Sequence, residues 1–345
     1  MWKRDADAAA TSAGFGDMRE PPTTDPVPLR YRSALDATDV SERTLQRRVK
    51  AGLVSRVRAG VYADPIELEM AEQRRREFTR IAAVVGTRRE RVVLSHESAA
   101  TVWGLPRIGP APESVDLIDA KLTRPRSLNG VRWRRTPFDP AEVVEHNGYL
   151  VTGLLQTVAD LACERGFVSA VAALDAATAP YVRGAGFVAI RGAERAAVSE
   201  RLREFGRRRG VRAADRAIEF SDPRAESPGE SLSRARMHLL GFPPPDLQVE
   251  FDRADGRVDR VDFDWPEYAV FGEFHGDLKY LDARYRGGRT AEQVLLDERK
   301  RDRMISGRHR RHGAHWDWSI AIHPRQLASV LADAGLPRTT PPPRL

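Results

Sequence analysis

Between Val258 and Trp265 the chain reads VDRVDFDW, with Val261, Phe263 and Trp265 alternating with Asp262 and Asp264. A period of two marks a strand buried on one face, so both aspartates turn the other way. Pro266, Glu267 and Tyr268 leave room only for a tight turn before a second strand, Ala269 to Gly276, which places Glu273 and His275 on a common face. Folding about Glu267 and Tyr268 sets Asp262 opposite Glu273. Carboxylates directly opposite in an antiparallel pair have Cβ atoms about 5 Å apart, where like charges destabilise a sheet. The pattern therefore demands a positive partner. A basic side chain such as Arg260 or Lys279 would serve, and so would a divalent cation with oxygen ligands, Mg²⁺ or Mn²⁺. Residue types alone do not choose between them.

Upstream, Ser227 and Pro228 start a helix whose buried stripe is read as Leu232, Ala235, Leu239 and Leu240. Glu230 falls off that stripe and is expected to line a surface site. The helix-borne Glu230 in SPGES, Asp262 in RVDF and Glu273 in GEFHG together resemble the PD-(D/E)XK nuclease core, in the variant of the very-short-patch-repair endonucleases. Gln248 in the intervening LQVEF strand fits the same pattern. The resemblance covers about the last third of the chain. It implies a restriction-endonuclease-like fold with Asp262 and Glu273 as ligands of Mg²⁺ (or Mn²⁺). Glu230 would be a further ligand or water-orienting base, and His275 or Lys279 the positive group near the scissile phosphate. The lysine of the E-x-K element is absent: His275 occupies its slot, and Lys279 follows four residues later. The alternative is a non-enzymatic regulator whose nuclease fold is degenerate and only binds DNA or a partner.

Length and charge frame the rest. A chain of 345 residues is long enough for two or three domains with their own cores. Its 56 Lys and Arg exceed 49 Asp and Glu, for a formal charge of +7, which favours a polyanionic partner, although a GC-rich genome would also enrich arginine. The single cysteine, Cys163, excludes an internal disulfide framework and fits a reducing, cytoplasmic setting. Residues 1–28 lack an apolar core of signal-peptide type and read as a disordered leader, as does the proline-rich tail 337–345. No stretch is apolar enough to span a membrane.

Near the N-terminus, Ser41 is a natural helix cap, Leu45 and Val49 recur at helical spacing, and Gly52 closes the helix. Its other face carries Arg43, Gln46, Arg47 and Lys50, side chains that reach guanine and adenine edges and phosphates in a major groove. A solvated basic face is the plainer reading of the same pattern. Leu53 to Tyr62 reads as a hairpin turning at Arg58-Ala59-Gly60, with Arg56 and Arg58 along it. This segment resembles the N-terminal winged helix-turn-helix of the abortive-infection type IV antitoxin (AbiEi) family, and that resemblance implies binding of promoter DNA and a cognate toxin as partner.

The fold class read from the whole is an α+β or α/β multidomain chain. A winged helix-turn-helix (29–64) leads through an α+β connector (65–222) to a restriction-endonuclease-like domain (223–336). In the connector, Glu67 to Val85 reads as one helix. Val92 to Leu94, Val115 to Ile118 and Val131 to Arg134 read as strands, and Leu154 to Ala179 as two helices. His96 and Glu97 are read as capping and packing their helix, since no second His or Cys cluster supports chemistry there. Arg201 to Arg216 is an arginine-dense helical stretch, phosphate-facing or solvated. Thr290 and Gln293 form a capping box for a helix bearing Arg299, Lys300, Arg301 and Arg303. Trp316 to Ile322 reads as a closing strand and Pro324 to Ala334 as a helix. His309, His312, His315 and His323 share no zinc-type spacing, so zinc is not expected.

Overall fold

The computed structural model describes residues 25–32, 41–121, 124–182, 190–253, 255–276 and 290–339, and the architecture is mixed α/β. The first unit comprises β1 (Arg30–Tyr31), α1 (Glu42–Lys50), β2 (Ser55–Arg58) and β3 (Val61–Ala63), with the strands in one antiparallel sheet of order β1-β3-β2. Ser41 caps α1 by accepting a hydrogen bond from the Thr44 N–H, and Gly52 follows with φ +69°. Leu45 is buried, while Arg43, Gln46, Arg47 and Lys50 are exposed, so one face of α1 packs and the other is basic. Residues 33–40, where a preceding helix would lie, fall outside the described residues. Val27 is fully buried beside Ala63 and Ala71, and its N–H donates to Thr79 Oγ1 at 2.9 Å. The head is thus tied to the helix that follows it.

The helix expected over Glu67 to Val85 is two helices, α2 (Pro65–Met70) and α3 (Gln73–Val85). Asp64 caps the first through the Ile66 and Glu67 N–H groups, and Ala71 turns extended at ψ 136°, which breaks the run. There follow β4 (Val93–Leu94), α4 (His96–Trp103), β5 (Val115–Ile118), β6 (Arg126–Leu128), β7 (Val131–Arg134), β8 (Val144–His146) and β9 (Tyr149–Val151). The six strands form a mixed sheet of order β6-β7-β5-β4-β9-β8. Behind it come α5 (Leu154–Glu164), α6 (Phe167–Thr178), the ribbon β10 (Tyr181–Val182) and β11 (Ile190–Arg191), α7 (Arg195–Glu204) and α8 (Val211–Phe220). Phe78, Leu94, Leu117, Val158, Leu161, Leu174 and Leu202 share one core.

Charged residues in this region serve the fold. His96, with φ +46°, is buried with Nε2 3.4 Å from Glu164 and 3.8 Å from Asp160, while Glu97 holds Arg107 and Arg165. Arg201 donates to Gln156 at 3.0 Å and to Glu142 at 2.6 Å, and Arg208 pairs with Asp160. These two arginines of the 201–216 stretch are internal ties. The stretch itself is broken by Gly210 at φ +92°, where a Cβ would lie 1.9 Å from the Cys163 carbonyl oxygen.

The last third begins with α9 (Pro228–Leu240), then β12 (Asp246–Asp252), β13 (Val258–Trp265), a single 3-10 turn at Pro266–Tyr268 and β14 (Val270–His275). It ends with α10 (Ala291–His309), β15 (His312–Asp317), α11 (Trp318–Ala321) and α12 (Pro324–Asp333). Both sides of the expected Thr290–Gln293 capping box are made. The closing strand expected at Trp316 to Ile322 instead starts at His312 and stops at Asp317, whose side chain accepts the Ile320 N–H and caps α11. The sheet runs β12-β13-β14-β15, antiparallel except for the parallel β14/β15 pair. One face buries Phe263, Trp265, Phe274 and Trp316 with Leu232, Leu327 and Leu331. Phe271, on the opposite face, joins Phe251 and Ile305, which seats α10 over the sheet, and Val261, expected to share the face of Phe263 and Trp265, packs in this second cluster instead. Helix α9 serves both cores: Ala235 belongs to the first, Leu232 and Met237 to the second. Among the described residues no helix is long and apolar enough to cross a membrane.

Candidate active site

The hairpin brings the two acids near one another. Phe263 pairs with Gly272 and Asp264 with Phe271, and one step beyond these pairs Asp262 turns its side chain to the neighbouring strand, where Oδ2 accepts the Phe274 N–H at 2.8 Å and its charge acts on Glu273. On the other side, the pairs Leu247–Phe263 and Val249–Val261 flank Gln248 and Asp262. Glu273 in turn pairs with His315 across β14/β15. Gln248, Asp262, Glu273 and His315 therefore form one row across four strands. Gln248 has φ +56°, a left-handed conformation that costs energy in a non-glycine residue and so marks a constrained site.

Glu230 joins this row from α9, and here the expectation of a surface carboxylate is corrected: Glu230 is only 7% exposed. The cause is its neighbour. A Cβ on Gly229 would stand 2.0 Å from the Phe274 ring, so only glycine lets the first turn of α9 lie against β14. Glu230 is thereby carried inward, where its Oε2 accepts from Gln248 Nε2 and from the Glu226 N–H, each at 2.8 Å. Ser227 caps the helix by accepting the Glu230 N–H at 3.2 Å. Burial, reinforced by the charge of Asp262, pushes the Glu230 carboxyl well above its ordinary range. Burial also pushes Glu273 up to about 7, with Asp262 adding and Arg301 opposing.

The positive partner that the opposed acids require is Arg301 of α10, whose guanidinium meets Glu273 Oε2. Of the two basic side chains expected there, Arg260 bonds Glu226 at 2.8 Å, and Lys279 lies outside the described residues. Glu273 Oε1 is buried and, among the described residues, takes no hydrogen bond. His275 Nε2 lies 2.9 Å from His315 Nδ1 with ring planes 11° apart, and His315 Nε2 lies 3.1 Å from Asp302 on α10. Glu273, His275 and His315 each offer one ligand atom, all within 4.8 Å of one another. The acids named for Mg²⁺, Asp262 and Glu273, thus sit side by side, with His275 and the unforeseen His315 beside Glu273.

Arg301, Asp302 and His315 escaped the sequence reading as site residues. A signal for His315 was present: in GAHWD it alternates with the buried Ala314 and Trp316, the same period that exposed Asp262. Its partner, however, is 40 residues away, so no local spacing motif could reveal the pair.

The residues named for nucleic-acid contact stand elsewhere. Arg43, Gln46, Arg47 and Lys50 share the outer face of α1, with Gln46 bonded to Glu42 at 3.2 Å. Arg56 is exposed on β2, and its Nε donates to the Arg58 carbonyl at 3.4 Å. Arg58 is half-buried, and burial and Arg88 lower its pKa from the usual guanidinium value.

No family model matches the chain, and no solved structure matches it. It is similar to uncharacterized proteins from two strains of Mycobacterium tuberculosis, 38% identical over 80 residues. That match spans 23% of this chain and 30% of the relatives' length.

Proposed function

We propose that the last third of the chain is a metal-dependent nuclease site cutting DNA phosphodiester bonds, joined to a DNA-binding head of winged-helix type. The observation that carries the reading is the meeting of Glu230, Asp262 and Glu273. Three carboxylates from a helix and two strands are brought together although burial drives two of them toward their neutral forms. Structural acids seldom accumulate at such a cost, whereas sites that bind a cation do. The donor set also fits: Asp262 and Glu273 present oxygens from adjacent strands, and Glu273 Oε1 has no partner among the described residues. Mg²⁺ or Mn²⁺ bound there would lower the pKa of a water and stabilise charge on the phosphate.

The chain's own residues do the rest. Glu230, oriented by Gln248 and returned to its ionised form by a cation held at the neighbouring acids, would accept a proton from the attacking water. Arg301 supplies the cationic group that the E-x-K lysine would have given, alongside His275. In support of the fold reading, an antiparallel trio closed by a parallel fourth strand carries the acids in its centre, with α9 and α10 against the sheet. The β1-β3-β2 sheet beside the basic α1 likewise supports the winged-helix reading. By resemblance, the setting is toxin–antitoxin control or phage defence, with a toxin as protein partner.

A second reading has its own observation. Arg301 already neutralises Glu273, as expected of a degenerate nuclease fold kept for DNA or partner binding. A cleavage assay on duplex and single-stranded DNA with Mg²⁺ and Mn²⁺ decides between the two. Metal-dependent nicking that Asp262→Asn abolishes supports the enzyme; DNA binding without nicking by the wild type under every metal supports the regulator.

A further inference from the structure

We infer that Glu273, His275 and His315 form a binding site for a first-row transition metal ion, one that discriminates against Mg²⁺. The inference shares Glu273 and His275 with the nuclease reading but does not depend on cleavage.

Two imidazoles and one carboxylate form a donor set of intermediate softness, which favours zinc, cobalt, nickel or iron(II) over the hard, oxygen-seeking Mg²⁺. The spacing agrees. Nitrogens each about 2.1 Å from a shared ion and at right angles to one another lie about 3 Å apart, and His275 Nε2 and His315 Nδ1 are 2.9 Å apart. The third donor is in place as well. Glu273 is 4% exposed, its Oε2 is occupied by Arg301, and its buried Oε1 takes no hydrogen bond among the described residues. A carboxylate so divided can ligate an ion through one oxygen without giving up the arginine.

The outer shell points the same way. Asp302 Oδ2 lies 3.1 Å from His315 Nε2 and accepts its N–H, which leaves the Nδ1 lone pair directed at the His275 nitrogen. A carboxylate holding the far nitrogen of an imidazole is the usual support of a metal-bound histidine, because it fixes the tautomer and raises the ligand's basicity. Asp302 and Arg301 are adjacent on α10, so one helical turn serves both the histidine and the glutamate. Backbone register fixes the rest, since Glu273 and His315 are paired across β14/β15 and His275 lies two residues along the same face. In the metal-free protein the same nitrogens satisfy one another, with His275 donating to His315.

The test is a Co²⁺ titration of the full chain, stripped of metal with a chelator and followed by visible absorption. One equivalent should bind with ligand-field bands of nitrogen and oxygen coordination. Zn²⁺ should displace it, and a hundredfold excess of Mg²⁺ should not. His275→Ala and His315→Ala should lose the bands, while His312→Ala, at an exposed position on the same strand, should keep them. Asp302→Asn should weaken binding roughly 10–100-fold. Absence of binding by the wild type, displacement by Mg²⁺, or full binding by folded His315→Ala would each overturn the inference. Should a histidine variant fail to fold, the wild-type displacement order and Asp302→Asn decide. Co²⁺ binding without any cleavage would sink the nuclease reading alone, and Mg²⁺-supported cleavage without Co²⁺ binding would sink this one alone.

Discussion

Glu273 is in register with His315 across the parallel β14/β15 pair, so a carboxylate and an imidazole from distant parts of the chain face the same space. That pairing turns a hairpin of opposed acids into a site with nitrogen donors. It also explains why α10 matters: the connection between the two parallel strands must cross the sheet, and the helix that makes the crossing delivers Arg301 and Asp302 to the same acid and histidine.

The buried acids give the metal-free protein a pH signature. Glu273 is held at about 7, against an ordinary 4.5, chiefly by burial, so between these values the folded protein retains a proton that the unfolded chain releases. The stability is fully present below about 4.5 and is lost as pH rises through about 7. Thermal melts of the chelator-treated wild type and of Glu273→Gln at pH 5 and pH 8 read this directly. Other titrating groups are common to both proteins, so the wild type should lose more on going to pH 8 than the variant. Equal losses would show that Glu273 titrates normally.

Gly229 sets how closely α9 approaches the sheet. A methyl group there would meet the Phe274 ring at 2.0 Å, and overpacking of this kind costs about 1–3 kcal/mol. Gly229→Ala should lower stability in a urea melt by that amount and, by displacing Glu230, reduce any cleavage more than its loss of stability explains. Phe274→Leu in the same chain should restore part of the stability. A Gly229→Ala protein as stable as wild type would show that the helix can withdraw freely.

Much of the fold was legible where one face of an element is buried. The period of two in VDRVDFDW marked β13 and its turn, because a slip of one residue would have turned Phe263 and Trp265 to the other face, although Val261 packs with Phe271 and not with them. The capping chemistry of Ser41, Ser227 and Thr290 likewise marked three helix starts. What failed was decided by tertiary contact. Glu230 lies off the apolar stripe of its helix, yet it is buried because Gly229 admits the Phe274 ring of β14. Arg301 was only one basic residue among several on its helix until the sheet brought Glu273 beneath it. Glu67 to Val85 has helical spacing throughout, but Asp64 and Pro65 start one helix, and Ala71 and Glu72 separate it from the next.

The two cores are tied by an ion pair that should be costly to break. Arg234 of α9 donates to both oxygens of Asp175 on α6, at 3.0 and 2.8 Å, and to the Phe220 carbonyl at 2.7 Å. Removing one partner of a buried pair strands the other, at about 3–5 kcal/mol. Arg234→Ala should lose stability on that scale in urea denaturation, whereas Arg224→Ala, which removes the largely exposed partner of Asp222, should cost about 1 kcal/mol or less. Similar small losses for both would mean that the link between the cores is apolar packing alone.

The head should bind DNA through the outer face of α1. Arg47 and Lys50 are exposed there, while Leu45 holds the helix to its sheet, so truncating the two basic side chains leaves the core undisturbed. Val27 and Thr79 tie the head to α3, so the measurement belongs on the full chain, in an Asp262→Asn background that keeps the DNA intact. Arg47→Ala with Lys50→Ala should weaken binding by about 1–3 kcal/mol for each side chain that reads a base edge. Where the truncated side chains instead face phosphates, the log-log dependence of affinity on salt should flatten by about 0.9 per phosphate on duplex DNA. The two effects separate in one experiment: a weakening that varies with DNA sequence marks base reading, and a uniform weakening with a shallower salt slope marks backbone binding. Unchanged affinity and unchanged slope in the double variant would reject α1 as the DNA-facing helix and leave its arginines as a solvated surface.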